Sequence, residues 1–235
     1  MSDNSGRSTG SIERLLAKLR DGSHATRRDV LRRSAAIGGG ALALSVAGSN
    51  AALAHDASDD DVSDVDVLNF ALTLEHLEYA FYRDGLEQFS PSDFMHAKHL
   101  NGFGNRVRED VHPNLLGVRD HEKVHVDTLT TVVNDLGGDP VEEACYDFGY
   151  ESADEFLGIA AVLENTGVSA YDGAINLIES GDLLTAGATI ATVEARHASY
   201  LNLLNGESPF PAAFDEPKTM QEVLEAAGGF IVEEA

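Results

Sequence analysis

The chain has a single cysteine, Cys145, among 235 residues, and no tryptophan. One thiol excludes an internal disulfide framework, and it excludes zinc ribbons and iron–sulfur clusters, which need several thiolates. Any bound metal must therefore be held by histidine and carboxylate. Basic charge is scarce as well: 16 Lys and Arg stand against 40 Asp and Glu, a net charge of −24. Eight of those basic residues but only four of the acidic ones precede residue 55, so the rest of the chain carries 36 acidic against eight basic side chains. Such a surface repels nucleic acid and anionic membranes, which excludes both as partners. It suits a solvated surface adapted to high salt, where the Debye length is about 3 Å at 1 M. Amphipathic strand patterns longer than a few residues are missing too. With 43% apolar residues, the reading is an all-α class with a sizeable core.

The N-terminal segment reads as an address. Thr26-Arg27-Arg28-Asp29-Val30-Leu31-Arg32 precedes an uncharged Ala/Gly/Leu run from Ser34 to Ala54 that ends in Ala52-Leu53-Ala54, an A-x-A cleavage pattern. Gly38, Gly39, Gly40 and Gly48 keep that run too weakly hydrophobic for a permanent span. Twin arginines before a mildly apolar segment resemble a twin-arginine export signal, with Val30 where such signals prefer Phe. The resemblance implies export to the outer side of the cytoplasmic membrane, with no membrane contact after cleavage. The organisation is a signal over 1–54, an acidic linker over 55–61, a bundle over 62–208 and a C-terminal turn and helix over 209–235.

Four long amphipathic helices follow. Helix A begins with a capping box, Ser63 with Asp66, and runs to about Phe89 along the stripe Leu68, Ala71, Leu72, Tyr79, Tyr82, Leu86, Phe89. A short helix covers Ser92 to Leu100, and residues 101–105 form a loop. Helix B starts near Pro113 and stops at Gly137-Gly138. Helix C opens with Ser152-Ala153-Asp154-Glu155 and ends near Gly181; helix D takes Asp182 as N-cap and ends at Asn205-Gly206. Thr219 with Glu222 caps a last short helix to about Gly228.

Charged groups interrupt each apolar stripe, in a pattern that repeats. Glu75 with Tyr82 seven residues on is followed by Glu122-x-x-His125; Glu164 with Tyr171 seven residues on is followed by Glu194-x-x-His197. Spacings of three and seven keep each pair on one helix face. Four inward glutamates and two histidines thus converge on the bundle core. Burying four bare carboxylates costs several kcal/mol apiece, more together than a typical domain's whole stability. Two divalent cations cancel that charge, and oxygen-rich ligation with one imidazole per ion favours Fe or Mn. Tyr82 and Tyr171 stand where they can hydrogen-bond the carboxylates or take part in one-electron chemistry. Glu78 falls about 60° off the stripe centre and reads as a flank or surface charge. His76, His96, His99 and His112 read as surface or capping residues, His55 as part of a flexible new N-terminus, and Cys145 as a small buried or half-exposed residue.

The phrases LNFALTLEHLEYAFY, RDHEKVHVDTL, LENTGVSAYDGAI and EARHASYLN resemble the ferritin-like superfamily, in particular its exported, desiccation-related branch. The resemblance covers about residues 62–230 and implies an up-down four-helix bundle with one long B–C connection. It makes Glu75, Glu122, His125, Glu164, Glu194 and His197 the ligands of two Fe, or two Mn. It also implies chemistry with O₂ or Fe²⁺; manganese-catalase-like peroxide removal and non-catalytic, stress-protective metal binding are the alternatives. Homo-oligomerisation is compatible with it. A rival lies in His121-Glu122-x-x-His125, which spells a zincin motif with Glu142 or Glu143 as third ligand. That reading leaves Glu75, Glu164, Glu194 and His197 unexplained.

Overall fold

A computed structural model describes residues 62–232; the twin-arginine segment, the linker with His55 and the last three residues lie outside the described residues. Helix α1 (Asp64–Gln88) starts as its sequence requires. The Ser63 hydroxyl accepts from the Asp66 N–H at 3.3 Å, and the Asp66 carboxylate accepts from the Ser63 N–H at 2.9 Å. The short helix expected next is split into α2 (Pro91–Met95) and a 3₁₀ turn (Lys98–Gly102) that takes in part of the expected loop.

Helix α3 (Asn105–Asp135) corrects the expected start at Pro113, which lies inside it. Proline removes one backbone N–H and costs about 3 kcal/mol in a helix interior. Val111 and Leu115, one turn apart and both fully buried, contribute about 1.5–3 kcal/mol each and carry the helix through.

Helix α4 (Ala153–Ala174) is capped by Ser152, whose hydroxyl accepts from the Glu155 N–H. It ends before Gly181, tightening into a 3₁₀ turn (Ile175–Leu177). Helix α5 (Gly181–Leu204) is capped by Ser180, not Asp182. The Asp64 carboxylate accepts from the N–H groups of Glu179 and Ser180, at 2.7 and 3.2 Å, and so fixes Ser180 as the cap. Asp182 instead lies in the first turn, facing the positive end of the helix dipole. Thr219 and Glu222 form the capping box of α6 (Met220–Ala227).

The helices form two hairpins, α1 with α3 and α4 with α5, joined chiefly through α1 against α4. Gly138, just past α3, and Glu179, just past α4, both lie against the start of α1. Helices α3 and α4 therefore run parallel, and residues 136–152 cross the length of the bundle. This crossover is held by Asn69, whose amide donates to the Asp139 carbonyl and whose carbonyl accepts from the Val141 N–H. Its end forms β1 (Cys145–Tyr146), paired antiparallel with β2 (Ile231–Val232) at the C-terminus.

Because α3, α4 and the crossover surround it, α1 is buried on nearly every side rather than along one stripe. Phe81, Phe89, Phe94, Phe148, Tyr150 and Phe156 close one end of the bundle, with the Phe81 and Phe156 rings stacked at 4.5 Å. Gly85 is where α1 and α4 approach closely at this end: a Cβ there would lie 2.5 Å from Phe156 Cδ2. Gly→Ala inside a helix ordinarily gains about 1 kcal/mol. At Gly85 the packed ring cannot retreat, so Gly85→Ala is expected to destabilise by about 1–3 kcal/mol, read as a lower midpoint in urea unfolding. Unchanged or raised stability would show that the ring moves freely.

Candidate metal centre

Each bundle helix delivers its charged residues to the middle of the core. Glu75 comes from α1, Glu122 and His125 from α3, Glu164 from α4, Glu194 and His197 from α5. All four carboxylates are 0% exposed, and both imidazoles are buried. Their donor atoms form two overlapping sets, Glu75/Glu122/His125/Glu194 and Glu122/Glu164/Glu194/His197, with the atoms of each set within 4.8 Å of one another. Glu122 and Glu194 belong to both sets, whereas Glu75 and Glu164 each serve one.

His125 Nδ1 lies 3.1 Å from Glu75, 3.0 Å from Glu122 and 3.2 Å from Glu194. His197 Nδ1 lies 3.0 Å from Glu122 Oε1 and 3.3 Å from Glu164 Oε2, yet these three atoms are buried without a hydrogen-bond partner among the described residues, as are both oxygens of Glu194. Close approach without hydrogen-bond geometry means that the lone pairs point into a shared space rather than at one another. A cation between them satisfies such donors, and the set of carboxylate oxygens with one imidazole per position suits a hard or borderline ion.

The two tyrosines cross the bundle. Tyr82 of α1 donates to Glu164 Oε1 at 2.5 Å, and Tyr171 of α4 donates to Glu75 Oε1. Each phenol therefore steadies the carboxylate of the opposite helix. Residues 63–207, more than half of the chain, match the family model of the ferritin-like domain. The chain belongs to the ferritin-like family. Over 161 residues it is also 25% identical to Protein rds1 of Schizosaccharomyces pombe, an alignment covering 68% of this chain and 37% of that protein. The chain thus spans little more than a third of that relative's length.

The ferritin-like core carries one acidic residue more than its sequence stripe suggested. Glu78 is buried at 3% exposure beside the cluster, which corrects its reading as a surface charge. A periodic stripe marks a single buried face, whereas the crossover covers the rest of α1. A signal was present all the same: Glu78 follows Glu75 at the three-residue spacing that also separates each Glu-x-x-His pair.

His121 is turned toward His197, with Nδ1 2.9 Å from His197 Nε2 and the ring planes 13° apart. That is an edge-to-edge hydrogen bond, and it takes His121 away from the zincin arrangement. Glu143 is paired with Arg83 on the surface at 2.9 Å, and His121 belongs to neither ligand set. His96 bonds the Ser92 carbonyl as a cap, His99 is exposed, and half-buried His76 meets the Val141 carbonyl at 3.2 Å. Cys145 lies half-buried in β1, outside the cluster.

The electrostatics of the cluster's own side chains follow from burial and crowding. Burial, and then the neighbouring carboxylates, push Glu194 well above the usual carboxylate range. Burial raises Glu122 to about 7 against the opposing pull of the two nearby histidines. For the imidazoles burial acts downward, but the close glutamate carboxylates win and raise His125 to about 12 and His197 to about 10. At pH 7 both histidines therefore hold protons that a metal must displace, and Glu122 is divided between its two forms. Loading with two divalent ions at pH 7 is expected to release about two or more protons per chain, with affinity rising as pH rises. Calorimetry in buffers of different ionisation enthalpy measures this, and binding without proton release would contradict the arrangement.

Proposed function

We propose that this ferritin-like protein is exported and carries a carboxylate-bridged pair of iron ions, or manganese in their place, that reacts with O₂ or with Fe²⁺ as substrate. The observation that carries the reading is the pair of overlapping ligand sets with unpartnered, fully buried donor atoms. Glu75, Glu122, His125 and Glu194 would hold one ion, and Glu122, Glu164, Glu194 and His197 the other. When bound, two such ions supply paired one-electron changes that O₂ chemistry requires. The chain's own part is to hold the donors in place and exclude water. Tyr82 and Tyr171 fix the outer carboxylates and keep their phenolic protons, since burial and the adjacent glutamates raise both phenols well above their ordinary range. The Arg27-Arg28 segment supports export, and no helix among the described residues is long and apolar enough to cross a membrane.

A second observation favours O₂ over hydrogen peroxide. The two ends of the cluster differ: Tyr82 is packed among Phe81 and Phe156, whereas Tyr171 walls a cavity of about 60 Å³ with Val67, Phe70, Leu74, Leu129 and Ile190. A lining of this kind offers apolar contact and almost no hydrogen-bonding partner, so it favours apolar guests over polar ones. O₂ is such a guest and peroxide is not.

Anaerobic loading with Fe²⁺ is expected to give about two ions per chain by elemental analysis, abolished in Glu122→Ala and Glu194→Ala. Exposure to O₂ should then consume it in a metal-dependent burst. Gly187 lines the cavity and a Cβ there meets nothing within 4 Å, so Gly187→Leu is expected to slow the O₂ reaction several-fold at unchanged metal content, leaving the rate with peroxide unaltered. Retention of both ions in either glutamate variant would overturn the reading.

A further inference from the structure

The two halves of the site repeat, and the repeat is broken at two places. Glu75 corresponds to Glu164 and Tyr82 to Tyr171, so Glu78 corresponds to Gly167. The residue missing from α4 is what makes room for the extra one on α1: a Cβ at Gly167 would lie 3.1 Å from Glu78 Oε1 and 3.4 Å from Glu194 Oε2. In the other helix pair Glu122 corresponds to Glu194, so His121 corresponds to Val193. His121 hydrogen-bonds His197, but valine has no side chain to do the same for His125.

Both breaks favour the same position. Gly167 is one turn beyond Glu164 on α4, and Glu194 Oε2, which flanks Gly167 together with Glu78, has no partner among the described residues. His197, the imidazole that His121 supports, completes that same set. Glu78 belongs to neither set, is 3% exposed, and shares the space at Gly167 with the unpartnered Glu194 Oε2. A carboxylate held in the core among other carboxylates is costly unless a cation uses it.

We propose that Glu78 is a seventh metal-ligating residue, held in reserve for the ion bound by Glu122, Glu164, Glu194 and His197, and that Gly167 is the space through which it reaches that ion. The inference rests on the dimetal reading above. It makes the two positions unequal: one has three carboxylates and a histidine, while the other gains a fourth carboxylate and an imidazole oriented by His121. More negative charge at one position favours the higher charge state of its ion.

Mn²⁺ titration of the full chain by calorimetry tests this, with Mn²⁺ electron paramagnetic resonance reporting the two environments. Wild type is expected to take up two ions in unequal steps. Glu78→Gln keeps the shape of the side chain and is expected to weaken one step about tenfold or more, with the other within about threefold. Gly167→Ala puts a methyl group where Glu78 must pass and should weaken the same step with Glu78 intact. Two ions bound by Glu78→Gln with wild-type affinities and spectrum, or both steps weakened alike, would overturn the proposal alone. Failure of the wild type to bind Mn²⁺ would overturn it together with the dimetal reading.

Discussion

Five glutamates, Glu75, Glu78, Glu122, Glu164 and Glu194, share the interior of the bundle with two imidazoles and two phenols, and their desolvation governs the rest of the structure. Several kcal/mol per bare charge exceeds what a domain of 5–15 kcal/mol net stability can absorb. The side chains meet this among themselves by sharing protons: His125 and His197 are held in their charged forms, Glu122 and Glu194 are pushed toward their neutral forms, and Tyr82 and Tyr171 donate across the bundle. In the proposed reading, two cations would do the same work without protons. Metal binding and folding are then linked, because an ion bound by the native chain alone raises its stability.

Four helices build this core from two hairpins, and the hairpins are alike where the chemistry is shared and unlike where it is not. Glu122 and Glu194 lie in both ligand sets, so each couples the two positions. The crossed phenols tie α1 to α4, the same pair of helices that joins the hairpins. Departures from the repeat sort by end: the extra carboxylate and the supported imidazole lie with the set that includes Glu164, at the aromatic plug around Tyr82, whereas the apolar cavity lies at Tyr171, beside Glu75.

Much of this was legible in the residues themselves. Ser63 with Asp66 and Thr219 with Glu222 are local signals, and local hydrogen bonds realise them unchanged. The six stripe-interrupting residues are the six that the structure gathers, since helical periodicity alone fixes which face each occupies. What periodicity cannot give is the neighbour across the gap. It puts Tyr82 on the face of Glu75, but the partner of Tyr82 is Glu164, because a long phenol reaches to the next helix. Glu78 was misread for the same reason: the crossover that buries the far side of α1 is held by Asn69, Asp139 and Val141, residues with no periodic signature. Ser180 overtook Asp182 as a cap through the distant carboxylate of Asp64.

Anomalous X-ray diffraction at the iron edge, on crystals of the full chain loaded with Fe²⁺ without air, tests the central claim most directly. The account predicts two peaks per chain, bridged by Glu122 and Glu194, with Glu75 and His125 on one and Glu164 and His197 on the other. A single peak, a peak between His121 and His125, or an empty core with glutamates hydrogen-bonded to each other would contradict it.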